Sequence, residues 1–136
     1  MTFKVDFNAI KRPSKPNTFL LGVSGLTDTG NPDEISPVFP VPAEQLYAIV
    51  HEHITGTPRW TITQQDAEAM QLDAVATTKL LKFKDDVAVK VVPIDKTQSQ
   101  LAIYSRSRLG HSDLGANEKR VRSLVQTLQQ KTARAA

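Results

Sequence analysis

At 136 residues the chain is long enough for one domain with a single core and too short for two of ordinary size. Its 40% hydrophobic and 23% charged content excludes a mainly disordered or coiled-coil protein. Without cysteine it has no disulfide framework, thiolate nucleophile or cysteine metal site, and the net charge of +3 is modest but unevenly placed. Residues 1–70 hold five Lys or Arg against eight Asp or Glu, whereas residues 71–136 hold twelve against six, so the second half favours anionic partners.

Residues 1–34 read as an extended Pro/Gly-rich arm, punctuated by Pro13, Pro16, Pro32, Gly22, Gly25 and Gly30. Within it only Thr18 to Val23 is apolar enough to pack or to add an edge strand. The first residues lack the apolar run of a signal peptide, and no later stretch reaches the roughly 18 apolar residues of a membrane span, so a cytoplasmic protein is expected.

A single α+β domain is expected over residues 35–131. Ile35 to Val41, broken by Pro37 and Pro40, suits an edge or extended segment. Pro42 suits the first turn of a helix along which Leu46, Ile49, Val50 and Ile54 recur at helical spacing until Gly56 and Pro58 stop it. His51 and His53, two apart, point in different directions and do not form a metal-binding pair; exposed, unliganded histidines are expected. Trp60 to Thr63 begins a sheet. Met70 to Phe83 reads as a long strand disturbed at Leu80 and Leu81.

Asp85 and Asp86 lead into a strand with Val87, Val89 and Val91 on one face. After the DKTQSQ turn, Leu101, Ile103, Ser105 and Ser107 alternate with Ala102, Tyr104, Arg106 and Arg108. A final helix follows, with Asn117 as N-cap, Glu118 in the first turn and an apolar stripe of Val121, Leu124, Val125 and Leu128. Gln129 onward is expected to fray, with residues 132–136 as a tail. The sum is an antiparallel sheet of about four strands with two helices packed on one face, a helix-grip-like arrangement.

The candidate site is the strand-turn-helix SRSRLGHSDLGANEKR, Ser105 to Arg120. It brings Arg106, Arg108, Ser112, Asp113, Asn117 and Arg120 together as ligand- or partner-binding residues. Asp85 and Asp86 are the expected ion-pair partners of Arg106 and Arg108, either as a structural staple or beside an anion site. Asp113 is expected to cap its own turn. His111, Ser112 and Asp113 are adjacent in a turn and make a poor triad, so no catalytic or metal residues and no cofactor are assigned. The expected partners are a protein or larger complex, with a small anion as a second option; one well-placed aromatic, Tyr104, in a chain of 6% aromatic content disfavours nucleic acid.

The motif Ser105, Ser107, Arg108, Gly110, Ser112, Asp113, Gly115, Asn117 and Arg120, with KFKDDV at Lys82 to Val87 and Pro16-Asn17, resembles the bacterial and plastid family known as domain of unknown function 1499. The chain departs from that pattern at Thr18, where the family often has cysteine, and at Tyr104, where it often has arginine. The resemblance supplies no activity. It implies a peripheral or assembly role at a photosynthetic or membrane complex, on the stromal side if the source is a photosynthetic eukaryote. Two alternatives are a small apolar ligand held between helices and sheet, and a hydrolase working from Ser112, Asp113 and His111.

Overall fold

The computed structural model describes residues 3–135; Met1 and Thr2 of the expected arm and Ala136 of the expected tail lie outside them. The described elements are β1 (Thr18–Gly22), β2 (Glu34–Ile35), α1 (Ala43–Thr55), β3 (Trp60–Asp66), β4 (Gln71–Thr77), β5 (Lys84–Pro93), β6 (Ser99–Ser107) and α2 (Ala116–Ala135). A three-residue 3-10 turn, Asp28–Gly30, separates β1 from β2.

These strands form one sheet in the order β2-β1-β6-β5-β4-β3. The expected four antiparallel strands are therefore six, and the sheet is mixed, because β2 runs parallel to β1. The two additional strands come from the segment between Thr18 and Ile35. Thr18 to Val23 packs, one of the two expected outcomes, with Phe19 and Leu21 facing the helices and Leu20 entering a second core, but as strand β1 it lies inside the sheet between β6 and β2 rather than at its edge.

The long strand expected over Met70 to Phe83 stops at Thr77, since residues 78–83 turn back with Thr78 N bonded to Phe83 O. Leu80 and Leu81 lie in that turn, in solvent, so their apolar character did not mark a strand.

Alternation in the strands creates two apolar layers. On one face Leu72, Val87, Val89, Leu101 and Ile103 pack against Leu46, Val50 and Ile54 of α1 and Val121, Leu124 and Leu128 of α2. Each fully buried aliphatic side chain contributes about 1.5–3 kcal/mol. Pro42 sits just before α1 as its cap position, and the helix ends at Gly56. Thr132 is buried with its hydroxyl on Leu128 O, so α2 continues as helix to Ala135 through the stretch expected to fray.

The opposite face is covered by the arm. Val5, Phe7 and Ile10 pack on Leu20, Ala88, Ala102 and Tyr104. Gln71 donates to Val5 O at 3.1 Å, and Lys4 N donates to Asp73 at 3.3 Å. Arg12 fastens the arm farther along: it bonds Thr18, Asn31 O and, at 2.7 Å, the Asp33 carboxylate, which also accepts from Leu20 N. Gly22 is required here, because a Cβ would come within 2.3 Å of Thr27 Oγ1 and 2.6 Å of Pro32.

Phe7 is 2% exposed, so Phe7→Ala is expected to cost about 3 kcal/mol in urea denaturation, whereas an arm resting loosely on the surface would change stability by less than about 0.5 kcal/mol.

Candidate functional site

Strand alternation divides the expected site between the two faces of the sheet. Ser105 and Ser107 project toward α2, as does Asp85, which pairs with Ser107 in register. Tyr104, Arg106 and Arg108 project to the arm side with Asp86, the register partner of Arg106. Asn117 and Arg120 belong to α2. The six expected site residues therefore do not converge on one ligand: Arg106 and Arg108 lie across the sheet from Asn117 and Arg120.

Asn117 organises the helix side. It was expected as an N-cap but lies one residue inside α2, fully buried. Its carbonyl oxygen accepts from Ser105 Oγ at 2.6 Å and Arg120 Nη1 at 2.9 Å. Its two amide hydrogens serve three acceptors, Asn17 O, Ser107 Oγ and Asp113 Oδ2, at 2.9, 2.9 and 2.7 Å. One side chain thus joins the arm, β6, the turn and α2. Arg120 extends this network to Asp85, which is 4% exposed, through a 2.8 Å ion pair. Asp85, expected to pair with Arg106 or Arg108, therefore meets Arg120 instead, because both face the helix side.

Asp113 caps its own turn as expected. Its carboxylate accepts from Gly115 N at 2.8 Å and Asn117 N at 3.2 Å, so the first amides of α2 are engaged from within. Ser112 Oγ accepts from Leu114 N. Neither Ser112 nor Asp113 is bonded to His111, so these three residues do not form a nucleophile-base relay.

On the arm side Arg108 makes the expected bidentate pair with Asp86, with both contacts at 2.9 Å. Burial tends to raise the Asp86 pKa, but the Arg108 hydrogen bonds and charge, helped by Arg106 and Lys4, hold it below the usual carboxylate value. Arg106 lies over the Tyr104 ring, 5.1 Å from its centre, with Nη1 buried and unpartnered among the described residues. Asp73 also has a buried unpartnered oxygen, and burial pushes its pKa up against the opposing pull of Lys4 and Arg106.

Among the described residues no group of three His, Asp or Glu side chains is arranged to hold a metal. His51 and His53 are half-buried rather than exposed: His51 meets Gln65, and burial lowers the His53 pKa.

Sequence reading missed a cleft of about 550 Å³ at the end of the sheet where β4 turns into β5 and β6 leaves for α2. Phe83, Leu109 and Leu114 supply its apolar lining, with Lys82, Lys84 and Arg108 among its other walls. The available signal was the presence of bulky apolar residues, Phe83, Leu109 and Leu114, in turn-forming polar stretches. A larger hollow of about 910 Å³ lies between the arm and the start of α2, but it is open and lined by both charge signs. Arg12 and Asp33 pair there, as do Arg122 and Glu118.

Two measurements test this geometry. Asp85→Asn leaves Arg120 buried without its counter-charge and is expected to cost about 3 kcal/mol in urea denaturation; a loss below about 1 kcal/mol contradicts the burial of the pair. The second concerns pH. A raised folded-state pKa means that Asp73 destabilises the fold above that value and is relieved as pH falls toward its unfolded value near about 4. The stability advantage of Asp73→Asn over wild type should narrow on acidification, and a pH-independent difference contradicts the assignment. Asp86 acts oppositely: its depressed pKa gives stability present above the unfolded value and lost as pH falls through the folded one.

Comparison with known proteins agrees with this architecture. The di-domain ARO/CYC BexL from the BE-7585A biosynthetic pathway superposes with a TM-score of 0.53 at 11% identity, over 73% of this chain and 45% of that one. The chain thus spans less than half the length of BexL, and the likeness concerns the fold. A Thermobifida fusca protein solved by NMR aligns at 10% identity over 82% of this chain and 80% of its own, with a TM-score of 0.45. A search of curated proteins finds no match. The family described as "Protein of unknown function (DUF1499)" matches residues 10–128, most of the chain, and the protein belongs to it.

Proposed function

We propose that this protein is a binding module that takes an amphipathic, anion-bearing partner at the cleft formed by the β4–β5 and β6–α2 turns. The basic strand-turn-helix expected from sequence remains part of the contact region, but Lys82 and Lys84, beside the Asp86-paired Arg108, replace Arg106 and Arg120 as the groups that meet the anion. The observation carrying this reading is the pairing of exposed apolar side chains with exposed cations in one concavity.

The nearby carboxylates do not cancel that attraction equally. Asp85 is committed to Arg120, Asp86 to Arg108 and Asp113 to the start of α2. Lys79, Lys82 and Lys84 are exposed and make no ion pair among the described residues. An apolar group on Phe83, Leu109 and Leu114 would leave its attached anion beside Lys82 and Lys84, with the Asp86-paired Arg108 at the same wall.

The alternative of a ligand between helices and sheet has less support. Leu101, Ile103, Leu124 and Leu128 fill that layer, and the hollow between the end of α1 and the first half of α2 measures about 240 Å³, below the roughly 300–1,000 Å³ of usual ligand sites.

The anionic apolar dye 1-anilinonaphthalene-8-sulfonate has the required chemistry. Its fluorescence is expected to rise saturably with folded wild-type protein. The Lys82→Glu, Lys84→Glu double variant, verified as folded by circular dichroism, should bind at least about fivefold more weakly. Equal binding by wild type and variant, or none by wild type, overturns the reading.

A further inference from the structure

Resting on the cleft assignment above, we infer that the partner is the surface of an anionic lipid bilayer, met end-on by the two turns that wall the cleft. Four leucines stand out from these turns: Leu80 is 88% exposed, Leu81 71%, Leu109 75% and Leu114 95%. Phe83, at 49%, lies between the two pairs in chain order. Leu80 and Leu81 do not line the cleft. A ligand confined to the cleft therefore leaves them in water, whereas a bilayer receives the projecting side chains and the cleft rim together.

The charge arrangement supports the same occupant. Lys79, Lys82 and Lys84 interleave with Leu80, Leu81 and Phe83, and Arg108 adjoins Leu109. Apolar residues enter the boundary of headgroups and acyl chains while neighbouring cations remain at the headgroup level. Such cations draw the protein to anionic lipid over about one Debye length, and each near the surface strengthens attachment by about fivefold. Since no described helix is long and apolar enough to cross a membrane, the association is assigned to the surface.

Leu114 adds a backbone argument. It occupies a left-handed conformation, φ 54°, as Lys82 does at φ 55°. Glycine or asparagine fits that conformation at lower cost, and a polar residue would suit solvent better. Leu114 thus opposes both local backbone preference and free-state hydration; insertion into lipid supplies a favourable environment for its side chain.

The test uses full-length protein sedimented with vesicles of phosphatidylcholine alone or doped with phosphatidylglycerol. Wild type should sediment with the doped vesicles, release as salt rises and remain in solution with phosphatidylcholine alone. Leu80→Ser, Leu81→Ser should weaken sedimentation by about tenfold or more while leaving dye binding in the cleft unchanged. Leu109→Ser, within the cleft, should weaken both.

Failure of wild type to sediment with doped vesicles, or full retention by the Leu80, Leu81 variant, overturns the membrane assignment. So does equal sedimentation with both lipids. If an acidic amphipathic peptide displaces the dye while vesicles recover no protein, the membrane inference fails and the cleft reading survives with a protein partner. Loss of dye binding as well removes both.

Discussion

The buried amide of Asn117 is the constraint on which the site depends. It meets the carbonyl of a residue 100 positions earlier, the hydroxyls of two β6 serines and the carboxylate that caps its own helix. A side-chain amide offers donors at one end and an acceptor at the other, so a single planar group can satisfy several elements without adding net charge. The adjacent Asp85–Arg120 pair brings charge to the same interior, where separating the partners costs far more than their net attraction. Helix α2 is held at both levels: by this polar network near its start and by Val121, Leu124 and Leu128 along its length.

Much of the fold was legible because periodicity reports burial. The helix at Ala43–Thr55, the valines of β5 and the alternation through β6 all follow from apolar spacing. The Asp86–Arg108 contact and the Asp113 cap were also accessible from sequence, because each requires only neighbouring strand ends or a local turn. The partner of Asp85 was not, since alternation indicates that Asp85 and Asp86 diverge but does not identify which residue of α2 comes down to meet Asp85 on the helix side. Leu80 and Leu81 misled for a related reason: apolar composition resembles a strand until tertiary structure leaves it in water. The internal position of β1 required knowing that residues 18–21 meet residues 103–106.

Covering both faces of the sheet directs exposed chemistry to its ends. The helices occupy one face and the arm occupies much of the other, with Arg106 stacked on Tyr104. At the end where β5 and β6 meet the turns, polar backbone and carboxylate groups are engaged internally while lysines and leucines remain outside. The stretch Ser105 to Leu114 thus contributes both to the buried polar network, through Ser105 and Ser107, and to the exposed apolar rim, through Leu109 and Leu114, by alternation followed by a turn. The likeness to BexL concerns the scaffold; the side chains on these turns belong to this chain's own chemistry.

The placement of β1 also imposes an order on biosynthesis. Its antiparallel partner is β6, with Leu21 in register opposite Ile103, so the first strand made has no neighbour on that side until most of the chain exists. Closing so long a segment carries an entropic cost that precedes the gain from pairing, which makes this step slow compared with forming the β3–β4 hairpin. On a ribosome the apolar segment Phe19 to Leu21 must wait through the synthesis of β6 and then for β6 itself to leave the exit tunnel. Strand β1 is therefore translated well before its antiparallel partner and incorporated late, and Phe19 to Leu21 stay without their β6 neighbour throughout that interval.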